Sequence, residues 1–188
     1  MFNPEEQPEA GSERPRGAGR RAFTLVELLT VIAIIAVLAG ITIGAARGVK
    51  ERAARSRAKG ELAAVSVALE SYKRQYGDYP ETKDAAALLQ CLIGKRGPTG
   101  AAMTGRSMLE TARFSLSADP TTDVTATLQD PWARAYEYHY KTDPAATWRA
   151  PGYVLYSAGP DGADDTPAAD GALDATTAAN ADNIYANQ

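Results

Sequence analysis

The chain has 188 residues, enough for one modest domain with an extension and too few for a multidomain enzyme. Its 20 Lys and Arg against 23 Asp and Glu leave a formal charge of −3, without the basic excess of a nucleic-acid-binding protein. One cysteine, Cys91, and one histidine, His139, exclude an intrachain disulfide and a Cys- or His-based metal cluster, and the inventory speaks against catalysis.

Residues 1–22 are rich in Pro, Gly and charge, a composition that cannot build a core. Four glutamates balance four arginines, but Arg20 and Arg21 stand last, beside an apolar run. This segment reads as a leader peptide on the cytoplasmic side, outside the fold. From Phe23 to Ile43 the only ionisable residue is Glu27. As a helix this stretch would be about 31 Å long at ~1.5 Å per residue, enough to cross a bilayer core. It is apolar around its whole circumference. A buried core helix is the competing reading, but the rest of so small a chain could hardly enclose it.

Residues 44–76 change character. Ala58, Leu62, Val65, Leu69, Tyr72 and Tyr76 are spaced 4-3-4-3-4, one stripe of an amphipathic helix, with Arg55, Lys59, Glu61, Glu70 and Lys73 largely off it. No proline interrupts Phe23 to Tyr76, so a single helix of roughly 80 Å is possible. Gly77 can take a left-handed cap, and Pro80 cannot continue the helix.

Residues 84–93 predict a second, short helix capped by Asp84 and ended by Gly94, with Cys91 as a small packing residue. Residues 94–107 read as loop. Tyr136, Tyr138 and Tyr140 alternate with Glu137, His139 and Lys141, the period of a half-buried strand with His139 toward solvent. Residues 152–159 predict a second strand, joined to the first by a long hairpin connection. After Arg149 there is no Lys or Arg, while six aspartates follow.

The segment 19–40, GRRAFTLVELLTVIAIIAVLAG, carries the strongest indication of function. An acid inside an apolar span is expensive, roughly 2.5–3.5 kcal/mol at a helix centre, and calls for a partner. Cleavage between Ala22 and Phe23 would supply one, an α-ammonium four residues before Glu27. A basic leader followed by Phe-Thr-Leu-Val-Glu and an unbroken apolar stretch resembles the type IV prepilins and the pseudopilins of type II secretion. Downstream, Asp130-Pro131-Trp132, a Tyr-rich strand and Tyr156-Ser157-Ala158-Gly159-Pro160-Asp161-Gly162 look like the major pseudopilin family of type II secretion. Tyr76-Gly77-Asp78-Tyr79-Pro80 matches the punctuation after that family's long helix.

The resemblance implies an α+β, pilin-like fold: a long N-terminal helix packed on a small antiparallel C-terminal sheet. The implied organisation is leader 1–22, transmembrane helix 23–43, amphipathic helix 44–76 and periplasmic domain 77–188. It implies a structural subunit of a pseudopilus, cut by prepilin peptidase between Ala22 and Phe23, N-methylated on Phe23 and assembled through Glu27. Implied partners are copies of itself, other pseudopilins, the inner-membrane assembly platform and membrane lipid, with no nucleic acid. The implied location is the bacterial inner membrane, single-pass, with the C-terminal domain in the periplasm and then in a periplasmic filament. The family binds calcium in the loop after this turn; Asp161 and Asp182 match its pattern, and Asp164 and Asp165 are further candidates. Hard cations want several oxygen ligands, and no basic residue competes here.

Two alternatives stand beside this reading. A type IV pilus pilin shares the N-terminal motif, but many such pilins carry a C-terminal disulfide that Cys91 alone cannot make. A twin-arginine export signal would use Arg20-Arg21-Ala22-Phe23, yet it leaves Glu27 inside the apolar run unexplained. The six basic residues from Arg47 to Lys59 oppose a periplasmic C-terminus under the positive-inside rule.

Overall fold

Helix α1 runs from Leu25 to Tyr76, 52 residues, in a computed structural model that describes residues 23–141, 150, 152–165, 167, 171–172 and 176–186. The side chains of residues 42–47 lie outside the description, as do the leader 1–22 with Ala22 and the connection 142–149. Gly77 ends the helix at φ +91°, donating its N–H to Lys73 O at 2.8 Å. Only a residue without Cβ takes that conformation without strain. The chain divides into two compact units after Ala45, so the amphipathic part of α1 belongs with everything that follows it.

In the first unit every large apolar side chain from Leu25 to Ile41 is exposed, Val31 least at 49 %. Among the described residues no helix is long and apolar enough to cross a membrane, and the described side chains of this stretch stop at Ile41.

The second unit has an ordinary core. Ala58, Leu62, Val65, Leu69 and Tyr72 are all buried, as the 4-3-4-3 stripe predicts, and Tyr76 packs against them partly covered. Each fully buried Leu contributes about 1.5–3 kcal/mol. Helix α2, Ala85–Leu92, starts where Asp84 accepts the N–H of Ala86 at 2.9 Å, and sets Leu88, Leu89 and Leu92 into the same core. Cys91 is buried there, as expected of a packing residue.

The sheet that carries the C-terminal motifs is antiparallel, in the order β3 (Glu137–Tyr140), β4 (Tyr153–Ser157), β5 (Ile184–Tyr185). A separate two-stranded ladder pairs β1, Ser115–Leu116, with β2, Leu128–Gln129. Tyr138 pairs with Leu155 and Tyr140 with Tyr153, and Tyr138, Leu155 and Tyr153 are core residues. The Tyr-Gly-Asp-Tyr-Pro segment is tied to the same sheet. Tyr138 Oη donates to Pro80 O at 2.9 Å, Tyr140 Oη donates to Asp78 Oδ2 at 2.8 Å, and the Tyr79 and Tyr153 rings meet edge to face.

One expectation is corrected. His139 does not face open solvent: it is half-buried, stacked on Tyr156 with the planes 10° apart. The outer face of β3 and β4 is overlaid by the returning chain, since Tyr156 Oη donates to Asp164 Oδ2 at 2.6 Å. Burial, and then the positive charge of Lys83, hold the imidazole pKa below its ordinary value.

Candidate functional site

At the start of α1, Thr24 stands one residue before the helix and Glu27 three residues further on. Glu27 Oε2 accepts the backbone N–H and the hydroxyl of Thr24, both at 2.9 Å, and Glu27 N–H donates to Thr24 Oγ1 at 3.2 Å. This is a reciprocal capping box, which satisfies donors that a helix start leaves unpaired. The T-x-x-E spacing of Thr24-Leu25-Val26-Glu27 carries that motif in the sequence, where the reading above weighed Glu27 for its charge alone. Thr30 turns its hydroxyl inward, donating to Val26 O at 3.0 Å and Glu27 O at 2.9 Å. Thr24, Glu27 and Thr30 thus find their side-chain partners within this turn, while Phe23 is 83 % exposed.

The second constellation lies on the C-terminal sheet, where two motifs far apart in sequence form one unit. Asp130 is 2 % exposed. Its Oδ1 accepts the N–H groups of Trp132 and Arg134, each at 2.9 Å, and its Oδ2 accepts the Ser157 hydroxyl at 2.6 Å. Ser157 Oγ in turn accepts Gly159 N–H at 3.2 Å. A buried carboxylate is retained only when such donors replace water. The Arg134 guanidinium reaches the turn beyond, donating to Gly159 O, Pro160 O and Asp161 O. Trp132 Nε1 donates to Glu51 Oε2 on α1 at 3.4 Å.

The four aspartates proposed as cation ligands have different fates. Asp161 and Asp182 come together: the N–H of Asp161 donates to Asp182 Oδ2 at 3.3 Å. Asp182 Oδ1 is buried without a hydrogen-bond partner. Asp161 Oδ1 accepts the N–H of Ala163, Asp164 Oδ2 is engaged by Tyr156, and Asp165 is placed by its own N–H on Asn180 Oδ1. Among the described residues no three His, Cys, Asp or Glu side chains converge as a metal-binding group.

On the inner side of the sheet, Tyr136 Oη donates to Glu61 Oε2 at 2.6 Å, and Arg57 Nε donates to Glu61 Oε1 at 2.7 Å. Burial first, and then the Glu61 contact, push the Tyr136 phenol pKa far upward. Burial likewise raises the Cys91 thiol above its ordinary range. These groups hold the fold.

Comparison with known proteins divides the chain at nearly the same place as its contacts do. Residues 18–43 match the model of the prokaryotic N-terminal methylation motif, and residues 46–175 match that of type II secretion system protein G. The chain is 32 % identical over 143 residues to the type II secretion system core protein G of Escherichia coli K12, covering 76 % of this chain and 83 % of that protein. Against the protein of the same name from Pectobacterium carotovorum it is 30 % identical over 151 residues, 78 % of this chain and 80 % of that one. Against that of Pseudomonas aeruginosa it is 28 % identical over 144 residues, 74 % and 83 % of the two chains. No solved structure matches it.

Proposed function

We infer, from the fact that this chain belongs to the type II secretion system protein G family, that it is a structural subunit of a secretion pseudopilus. One observation carries this reading: a methylation motif runs directly into a protein G domain on a single chain. The subunit performs no chemistry of its own and is instead the substrate of an enzyme. Prepilin peptidase cuts between Ala22 and Phe23 and methylates the new amine. The apolar segment 23–43 holds the subunit in the inner membrane until assembly, with the C-terminal domain in the periplasm. There it assembles with copies of itself and other pseudopilins on the inner-membrane platform.

Packing such helices side by side removes Glu27 from water, and an ionised acid in apolar surroundings needs a cation. The α-ammonium of a neighbouring Phe23 supplies it. Intact-mass measurement of membrane-extracted protein tests the reading at its root. A mature chain beginning at N-methyl Phe23 is expected; a start near residues 39–46 would replace it with twin-arginine export.

We further propose calcium at the C-terminal loop, bound by Asp182 and Asp161. Support comes from the buried, unpartnered Asp182 Oδ1 next to Asp161, because a hard cation seeks such an oxygen. Water would complete the shell, since Arg134 takes the carbonyls of Gly159, Pro160 and Asp161. Calcium should raise the melting temperature of the detergent-solubilised protein more than magnesium does at equal ionic strength. Asp161→Ala and Asp182→Ala should each remove most of that rise, and equal shifts from the two ions would end the assignment.

A further inference from the structure

We propose that Arg134 is the resident cation of the 159–162 turn, its guanidinium seated in a cradle of three consecutive backbone carbonyls and holding the turn closed without a metal. Arg134 Nη1 donates to Gly159 O at 2.7 Å and to Pro160 O at 3.1 Å, and Nη2 donates to Asp161 O at 3.2 Å. Carbonyl oxygens aimed at one point are the surroundings a hard cation seeks. Here the chain fills them with its own positive charge. A guanidinium suits the task because its donors diverge in a rigid plane, whereas an ammonium is a point charge on a flexible stem.

Two further observations bear on how closely this side chain fits the turn. A Cβ on Gly162 would fall 2.2 Å from Arg134 Cζ and 2.3 Å from Nε, and Gly162 sits at φ +68°. A side chain there would force the guanidinium to shift from its present seat. The root of the arginine is held as well, since its N–H donates to Asp130 Oδ1, and Asp130 Oδ2 takes Ser157 at the base of the same turn. Among the described residues no carboxylate lies within ion-pair distance of Arg134, so charge pairing does not explain its position. Holding the turn also places Asp161 beside Asp182, whose backbone O would lie 2.6 Å from a Cβ at Gly159. Arg134 is therefore a positioning residue for the loop that seats β5, and it acts whether or not calcium binds.

Hydrogen exchange of the full-length protein in detergent, with EDTA present throughout, tests this. Wild-type amides over 157–165 should be protected, and Arg134→Ala should speed their exchange roughly tenfold while the 62–72 stripe of α1 changes less than twofold. Low-millimolar methylguanidinium should restore part of that protection in Arg134→Ala and leave the wild type unchanged. Arg134→Lys, which keeps charge and most of the stem, should fold normally and still lose local protection. Wild-type exchange that is unprotected in EDTA would overturn the proposal, as would an Arg134→Ala loop within twofold of wild type. An Arg134→Lys loop as protected as wild type would also overturn it, because a point charge would then suffice. Global unfolding of both variants would replace the local clamp with a role in the core. Calcium titration of the wild type is a separate measurement, and its failure would leave this result standing.

Discussion

The two parts of α1 share a backbone conformation and almost nothing else. From Leu25 to Ile41 its Leu, Ile and Val side chains are exposed on every side; after Ala45 one stripe is buried and the remainder is mainly polar, with Val49 and Val67 exposed among it. Backbone geometry is therefore indifferent to which part it builds. What differs is where each part finds its apolar partner. The second part finds it in its own chain, in α2 and the β3–β4 sheet. The first presents a surface that lipid or other helices must cover, since exposed apolar area on this scale marks an interaction site. Stability resides in the second part; under the proposed function assembly resides in the first, and mutations should separate them.

The largest effect should come from Leu69→Asp. It puts an unpaired charge at a fully buried core position and removes a packed side chain, a loss of about 4–5 kcal/mol or more. Near-UV circular dichroism and protease resistance of the C-terminal domain should collapse, while leader cleavage proceeds as in wild type. Loss of cleavage would mean that the two parts are not separable.

Glu27 sharpens the comparison from the other side. Glu27→Ala removes both the charge and the capping box, and capping losses run about 1 kcal/mol. Glu27→Gln keeps an acceptor for Thr24 and removes only the charge. Both variants should insert, be processed and fail to enter filaments, with an unchanged melting temperature for the second unit. Filaments from Glu27→Gln at wild-type yield would show that the cap, not the ion pair, is what assembly requires.

Most of α1, α2, β3 and β4 was legible because period and punctuation are local properties. Asp84 before an apolar run, Gly77 ahead of Pro80, and alternating tyrosines each state their structure within a few residues. Strands β1, β2 and β5 have two residues each, too few for any period to register. Arg134 went unnoticed for a different reason: its partners lie 25 to 27 residues away, on a turn whose sequence says nothing of where an arginine will arrive. The covering of His139 was hidden in the same way by Tyr156 and Asp164.

That histidine gives a pH test confined to the second unit. Its folded pKa lies below the ordinary 6.5, so the folded state binds fewer protons than the unfolded state just under that value. Its contribution is complete above the ordinary histidine range and is lost as pH falls from there to the lowered folded value. Melting temperature should decline over that window, and His139→Gln should flatten the decline; an unchanged slope would assign it to carboxylates instead. The smallest expected effect is a gain. Ala133 sits at φ 64°, the only positive-φ residue other than glycine among the described residues. Such a conformation costs an L-residue roughly 1–2 kcal/mol, partly offset by the freedom glycine adds to the unfolded chain. Ala133→Gly should raise the unfolding free energy, read by chemical denaturation, by a few tenths to about 1 kcal/mol.

Cys91 is 2 % exposed, and its Sγ lies 3.6 Å from Gly97 O in the packed interior. As the chain's sole thiol, it is a built-in clock for opening of the domain. A maleimide can reach it only when α2 lifts from the core, so the rate of labelling counts those excursions with no introduced probe. Read on free subunits and again within filaments, the same sulfur would report how much assembly quiets breathing of the second unit.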